Sequence, residues 1–157
     1  MTVEPREYVD VAARLELLAW GRNTYTVLYL DDLVEDAVRA AGTRRVEGFL
    51  DDVPVNLGVN RADVAARAFC YVGPALQRRV RAEAGDVLRC RLRPADPDHV
   101  PLPDDVRRAL EVAGRLAVFE GRRPSERRRA LQPVEDAVRD TTRQTRIAAL
   151  VRSLAPG

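Results

Sequence analysis

Alternating apolar and polar residues predict several short β-strands in the first part of the chain. The clearest is Thr24 to Leu30 (TYTVLYL), which is dense in aromatic and β-branched residues. Asp86 to Arg93 (DVLRCRLR) alternates with a period of two. Two aspartates separate the segments Thr43 to Leu50 and Val53 to Val59, which are therefore predicted to form the two strands of a β-hairpin. These segments predict several strands, two of which form a hairpin.

Two further apolar segments have a less definite pattern. Val11 to Leu18 (VAARLELL) fits either a strand or a short helix by periodicity. Val64 to Val72 contains a β-like centre, Ala68-Phe69-Cys70-Tyr71-Val72. Both are expected to belong to the same folded unit as the clear strands.

Helical spacing appears twice among these strands. Leu33 to Ala41 repeats apolar residues at helical intervals, Asp32 and Glu35 have the spacing of a capping box, and Gly42 supplies a stop. A second short helix is predicted from Gly73-Pro74 to about Gly85.

The last third of the chain reads as helical throughout. A proline- and aspartate-rich connector, Pro94 to Pro101, precedes three helix starts at Pro103, Pro124 and Thr141 or Thr142. Pro133 is expected to end or kink the second of these helices. The order of elements predicts an α+β fold, with strands and two short helices in residues 1–98 and about three helices in residues 99–157. The helical segment is expected to pack on the first part as one structural unit.

Composition changes how the charged residues are interpreted. All 26 basic residues are arginine, and 24 acids leave a formal net charge of +2. A complete absence of lysine is typical of compositional bias, so an arginine cluster is weaker evidence for a site here than elsewhere. The moderate net charge also argues against a strong nucleic-acid binder.

The cellular location and the state of the cysteines can be predicted from a few residues. The N-terminal sequence MTVEPREYVD lacks the basic start and apolar core of a secretory signal, and no apolar run approaches the roughly 20 residues of a membrane span. We therefore expect a cytoplasmic protein. Two cysteines, Cys70 and Cys90, are expected to be free and buried, and a single histidine, His99, cannot build a Cys/His zinc site.

An ordered set of short motifs is spread over roughly residues 10 to 155. It comprises Arg45-Val46-Glu47-Gly48, Gly85-Asp86-Val87, Pro103-Asp104-Asp105-Val106 with Ala109-Leu110, Pro124-Ser125 with Arg127-Arg128, and Ala137 to Ile147 (AVRDTTRQTRI). Together these resemble a bacterial family of unknown function in which a small β-barrel domain precedes a YdeI/OmpD-associated, bacteriocin-protection-like helical segment. Val138 and Thr141 depart from it, standing where the family usually has lysine and glutamate.

The resemblance implies a small, double-split-like β-barrel with short inserted helices, without any implied DNA-binding role. It brings no catalytic residues and no cofactor to this chain. Two arginines, Arg143 and Arg146, match the family ending and are candidate ligand contacts. The alternative for both, which is preferred, is that they pack the tail onto the barrel through ion pairs with acids such as Asp104 or Asp105.

The remaining candidate ligand residues lie on the predicted strands. Arg89 and Arg91, with Arg93, place guanidinium groups on one strand face, where they either bind an anion or form a solvated outer face. Tyr25 and Tyr71 belong to an aromatic group with Trp20, Tyr29 and Phe69, which is interpreted first as core packing and second as a ligand site.

The acidic connector offers the densest group of oxygen ligands, but no metal site is predicted there. Asp96, Asp98, His99, Asp104 and Asp105 match no EF-hand spacing, and aspartates are the usual residues of turns and helix caps.

No catalytic motif is present, so enzyme status stays open on sequence alone. The first hypothesis is a non-enzymatic accessory protein, or one that binds a small ligand, with an unknown small molecule or protein as its partner. Alternatives are a small-molecule enzyme that uses a barrel pocket and an AbrB-like nucleic-acid-binding module.

Overall fold

The computed structural model describes residues 7–154 and divides the chain into two compact units, residues 1–98 and residues 99–157. We refer to these as the sheet unit and the helical unit. The sheet unit contains β1 (Val9–Trp20), β2 (Asn23–Tyr29), α1 (Asp32–Ala41), β3 (Arg45–Leu50), β4 (Val53–Gly58), β5 (Phe69–Tyr71), α2 (Pro74–Val80) and β6 (Val87–Pro94). The helical unit contains α3 (Asp104–Val112), α4 (Leu116–Glu120), α5 (Pro124–Glu135) and α6 (Asp140–Ser153). The predicted α+β class is confirmed.

The six strands form one antiparallel sheet in the order β4-β3-β6-β1-β2-β5. β1 spans the middle of this sheet, because its first half pairs with β6 and its second half, from Leu15 to Trp20, pairs with β2. Its ambiguous sequence pattern is thereby resolved as a strand. Gly21-Arg22 joins β1 to β2 in a tight turn that Gly21 permits with a φ of 63°.

The sheet is not a closed barrel, so this part of the sequence-based prediction is wrong. The two edge strands are β4, which ends at Gly58, and β5, which has three residues. Among the described residues, backbone pairing between these two edges is limited to an isolated bridge just after β4, where Asn60 and Phe69 exchange hydrogen bonds of 2.8 and 2.9 Å. A three-residue edge strand offers too few backbone groups for a continuous ladder, so the sheet curls without closing.

One face of the curled sheet, with α1 and α2, encloses the main core of the sheet unit. Its buried side chains come from every other position of the strands and from one stripe of each helix: Leu15, Leu28, Leu30, Val34, Val38, Val46, Leu50, Ala68, Cys70, Val72, Leu76, Val80, Leu88, Cys90 and Leu92. A smaller cluster of Leu18, Val27 and Phe69 lies on the other face, against β1, β2 and β5. That second cluster positions the site described below.

The ends of α1 agree only in part with the sequence. Asp31 caps the helix by accepting a 3.0 Å hydrogen bond from the Leu33 amide, and Gly42 ends it in the left-handed conformation. Glu35 does not complete a capping box, because its carboxylate binds Arg39 and Arg61 instead.

The helical unit has its own core and one more helix than predicted. Val100, Val106, Leu110, Phe119, Leu131, Val134, Ile147, Leu150 and Leu154 are its buried side chains. The additional helix, α4, has five residues and contributes Phe119. It is too short to produce a recognisable period in the sequence. Pro133 lies inside α5, which ends two residues later at Glu135, so the effect expected of this proline is confined to the last turn.

None of the helices within residues 7–154 combines the length and apolar character needed to cross a membrane.

Candidate functional site

Aromatic side chains meet on the outer face of β1, β2 and β5, and we call Trp20, Tyr25 and Tyr71 the aromatic surface. Strand alternation selects this face, since Tyr25 and Tyr29 of β2 point away from the main core on the same side as Val27. Leu18 stands opposite Tyr25 and Val27 stands opposite Tyr71. Trp20 and Tyr71 are therefore diagonal neighbours of Tyr25 on its two sides, within reach of large side chains.

The rings of the aromatic surface contact one another edge to face. Ring centroids are 6.3 Å apart between Trp20 and Tyr25 and 5.7 Å apart between Tyr25 and Tyr71. Trp20 also lies 6.1 Å from Phe69, at an interplanar angle of 90°. Edge-to-face contacts of this kind are favourable and fix the orientation of each ring.

These rings are held from below yet remain open to solvent. Phe69 is buried beneath them, and Ala62 and Ala65 pack against the same cluster. Gly73 lies beside Tyr71, since a Cβ at this position would come within 3.0 Å of the tyrosine ring. Even so, 45% of Trp20 and 48% of Tyr71 stay exposed. The result is a preorganised apolar surface with hydroxyl groups at its edges.

The three arginines of β6 are occupied by neighbouring side chains. Arg89 forms an ion pair with Asp10, which holds the pKa of that carboxyl below its ordinary value mainly through the hydrogen bond. The Arg91 guanidinium stacks 4.7 Å from the centre of the Phe49 ring, which is directly opposite in the register. Arg93 lies 4.4 Å from the Tyr8 ring and 3.4 Å from Glu47. On this outer face of β6, each guanidinium group already contacts an acidic or aromatic side chain, through ion pairs or cation–π stacking.

Arg143 and Arg146 bind backbone and acidic groups inside the helical unit. Arg143 makes two hydrogen bonds of 2.7 and 2.9 Å to the Asp105 carboxylate and a third, at 3.3 Å, to the Val134 carbonyl. Arg146 donates to the Pro133 carbonyl at 2.7 Å. The two arginines of α6 thus bind carbonyls in the last turn of α5, where basic side chains commonly add hydrogen bonds to the final carbonyls.

The acidic connector folds into turns and a helix start. Asp96 accepts a 2.9 Å hydrogen bond from the Asp98 amide, and Asp104 and Asp105 lie in the first turn of α3, where the helix dipole favours acids. His99 begins the helical unit. Within residues 7–154, three or more His, Cys, Asp or Glu side chains nowhere come together as a metal site.

Both cysteines are free and buried. Burial raises the pKa of the Cys70 thiol to about 12 and that of the Cys90 thiol to about 11. A thiol with so high a pKa is protonated at neutral pH, and the protonated form is a poor nucleophile.

Two open grooves lie on the surface of the described residues. One, of about 570 Å3, runs between α3 and α6. The other, of about 490 Å3, surrounds α2 and is lined by Pro74, Gln77, Arg78, Arg81, Ala82, Glu83 and Asp86.

Of the candidate residues, the structure brings together Tyr25 and Tyr71, and separately Arg143 and Arg146, while Arg89 and Arg91 lie on another strand face. Trp20 was interpreted as core and is instead nearly half exposed. Its place at the end of a strand, before a glycine turn, was the available signal. The α3–α6 groove was missed, although Ala109 and Val112 extend the apolar stripe of α3 beyond its buried side.

Similarity to known proteins is confined to the helical unit. Residues 99–157 match the family OmdA, described as bacteriocin-protection, YdeI or OmpD-associated. No curated protein and no solved structure gives a significant match to the chain. The resemblance expected over nearly the whole chain is thus supported for its C-terminal part.

Proposed function

We propose that this protein is a non-enzymatic accessory protein that binds a small, uncharged ring compound on the aromatic surface. The observation that carries the proposal is the cluster of Trp20, Tyr25 and Tyr71, fixed edge to face and still open to solvent. Exposed aromatic rings are otherwise costly to maintain on a protein surface and are enriched where proteins bind partners.

The chemistry of the surface favours an uncharged ligand. The rings of the aromatic surface contact one another and Phe69, and the Asn23 side-chain amide donates to the Tyr25 hydroxyl at 3.4 Å. A ring with one flat apolar face and polar groups at its rim matches this combination, because the face covers apolar area while the rim reaches the tyrosine hydroxyls and the amide. Heteroaromatic compounds and sugars share this chemistry.

The two alternative functions have less support. An enzyme would need an activated group, whereas both thiols are protonated and the candidate arginines are engaged with neighbours. A nucleic-acid-binding face would need arginines free to contact phosphate, whereas those of β6 are neutralised or stacked. The proposal also places the protein in the cytoplasm, as predicted from the sequence, because two free thiols are compatible with a reducing compartment.

Trp20 provides a direct test, because it is the single tryptophan of the chain. A library of neutral heteroaromatic and saccharide compounds is titrated into the full-length protein while the Trp20 emission is recorded. We expect a subset to shift or quench this emission, with dissociation constants in the micromolar to millimolar range. Native mass spectrometry of protein purified gently from its host then identifies a resident compound as extra mass that is lost on denaturation.

Tyr71→Ala is the informative variant, since it removes one ring and leaves the fluorescent reporter in place. It should weaken binding by about tenfold or more, which corresponds to about 1.4 kcal/mol. Tyr8→Ala is the matched control, because Tyr8 is 39% exposed and contacts Phe49 and Arg93 instead of the aromatic surface. Equal losses in both variants, or no change in Trp20 emission up to millimolar concentrations, would rule the proposal out.

A further inference from the structure

The groove between α3 and α6 is a second surface, separate from the aromatic surface and built entirely within the helical unit. One stripe of α3 supplies Asp105, Arg108, Ala109 and Val112, at the intervals that place residues on one helix face. One stripe of α6 supplies Ala148, Val151 and Arg152 in the same manner. Together the two stripes line a trough of about 570 Å3.

The trough is apolar at its centre. Ala109 and Ala148 are small enough to admit another chain close to the helices, while Val112 and Val151 form the apolar walls. Val112 is 85% exposed and lies on the far side of Ala109 from Val106 and Leu110, which are buried in the core. The apolar stripe of α3 is therefore wider than the core of the helical unit requires.

The charged side chains at the rim of the trough that remain open to a ligand are positive. Arg108 and Arg152 are exposed, and neither forms an ion pair with another residue that the structure describes. The one acid of the trough, Asp105, is already bound by Arg143 through two hydrogen bonds. An occupant therefore meets two free guanidinium groups and no free carboxylate within the lining.

We propose that the α3–α6 groove binds a polypeptide segment that carries apolar residues at helical spacing, flanked by aspartate or glutamate. A groove between two helices is the usual receptor for an amphipathic helix, which inserts its apolar stripe between them. Acids at the rim of that helix complement Arg108 and Arg152, and guanidinium groups bind carboxylates with two hydrogen bonds. A second copy of this chain is disfavoured, since a symmetric pairing brings the same arginines to both sides of the interface.

The test selects the occupant without assuming its sequence. A randomised library of 16-residue peptides displayed on phage is panned against the full-length protein, with counter-selection on the Arg108→Glu/Arg152→Glu variant. We expect enriched peptides to have apolar residues at i, i+3 or i+4, and i+7, with acids beside them. A labelled consensus peptide is then titrated by fluorescence anisotropy.

The two groove arginines should account for much of the affinity. Arg108→Glu/Arg152→Glu is expected to raise the dissociation constant of the consensus peptide at least about tenfold, and added salt should weaken binding to the wild type. Arg122→Glu/Arg129→Glu is the matched control, because it makes the same change in net charge at two exposed positions outside the groove. It should change the constant less than about twofold. Circular dichroism checks that both variants retain their helices.

Four results in the selection, titration and sedimentation experiments would overturn the proposal. These are enrichment of basic or unpatterned peptides, no enrichment at all, equal losses in the groove and control variants, and sedimentation showing a dimer that the groove variant dissociates. Binding of anionic lipid vesicles that depends on the same arginines, without any peptide binding, would assign the surface to a membrane and likewise contradict it.

Discussion

At the scale of single residues, Arg143 shows how one side chain joins three helices. It lies on α6, binds the Asp105 carboxylate of α3 twice, and donates to the Val134 carbonyl near the end of α5. The ion pair predicted from the sequence as an alternative to ligand contact is therefore present. Arg143→Ala should lower the free energy of unfolding by about 1 to 2 kcal/mol, a figure reduced because Asp105 is partly exposed.

Urea denaturation monitored by circular dichroism measures this loss. Arg152→Ala is the control, since Arg152 lies on the same helix, is exposed and forms no ion pair with a described residue. That variant should change stability by less than about 0.5 kcal/mol. Equal effects of the two substitutions would contradict the structural role assigned to Arg143.

The Asp105–Arg143 pair also makes stability depend on pH. Arg143 lowers the pKa of the Asp105 carboxyl below its ordinary value of 3.8. The folded state thus binds the Asp105 proton less readily than the unfolded state, so the contribution is complete well above this value and is lost as the pH falls through the lower folded pKa. The stability difference between wild type and Asp105→Asn should be constant from about pH 7 to 5 and shrink towards pH 3. A difference that grows on acidification would refute this assignment.

Gly48 occupies a position that no other residue tolerates well. Its φ is 145°, and a Cβ there would lie 1.8 Å from the Arg91 carbonyl oxygen on the neighbouring strand. Gly48→Ala should therefore destabilise the protein by at least about 3 kcal/mol, because backbone on two strands must move. Gly114→Ala is the comparison: its φ is also positive, at 68°, but a Cβ meets no atom within 4 Å. A cost of about 1 kcal/mol is expected there. Thermal unfolding of both variants separates the clash from the cost of positive φ alone.

At the scale of elements, α1 holds the segment that follows β4. Arg61 and Arg67 from this segment bind Glu35 and Asp32 of the helix at 2.5 and 3.0 Å. Glu35 is only 15% exposed, and its hydrogen bond with Arg61 lowers the pKa of its carboxyl. The same segment contributes Ala62 and Ala65 to the cluster beneath the aromatic surface. The helix thereby supports the candidate site through the loop.

Glu35→Gln should loosen that loop without unfolding α1. Removing the charge weakens the contact with Arg61, and we expect hydrogen exchange over residues 61–67 to accelerate roughly fivefold, equivalent to about 1 kcal/mol of local stability. Asp36→Asn makes the same charge change on an exposed position of the same helix and should leave the loop unaffected. Faster exchange in both variants would indicate a general effect of charge on the helix.

Local patterns predicted most elements, while contacts between distant segments escaped prediction. Gly42 was predicted to end α1 and does so, whereas the predicted capping residue, Asp32, is one position past the observed cap, Asp31. The alternation in β6 located its buried face. The strand order, which brings β6 between β3 and β1, depends on pairings of residues far apart in sequence. The same limit applies to the candidate site. Tyr25 and Tyr71 could be assigned to one aromatic group, but the exposure of Trp20 depends on what covers it.

At the scale of the whole molecule, each unit has a core made from its own residues. The buried clusters of the sheet unit draw on side chains up to Leu92, and that of the helical unit draws on Val100 to Leu154. The family match covers the second of these units. Because hydrophobic burial is the main source of stability, two separate cores predict two segments that fold separately. Packing of the helical segment on the sheet unit stays a prediction from the sequence.

Dividing the chain after Asp98 tests both ideas together. We expect the fragment of residues 1–98 to unfold cooperatively in urea and to keep the Trp20 emission of the full chain, since its clusters need no residue from the helical unit. The fragment of residues 99–157, with nine buried core side chains, should form helix but be the less stable, because so short a chain buries a smaller fraction of its surface.

The stability of the first fragment relative to the full chain then measures the energetic coupling between the two units. An unchanged urea midpoint means that the helical unit does not stabilise the sheet unit. A lower midpoint measures how much the packing predicted from the sequence stabilises it. An unfolded first fragment would show that its core depends on the helical unit.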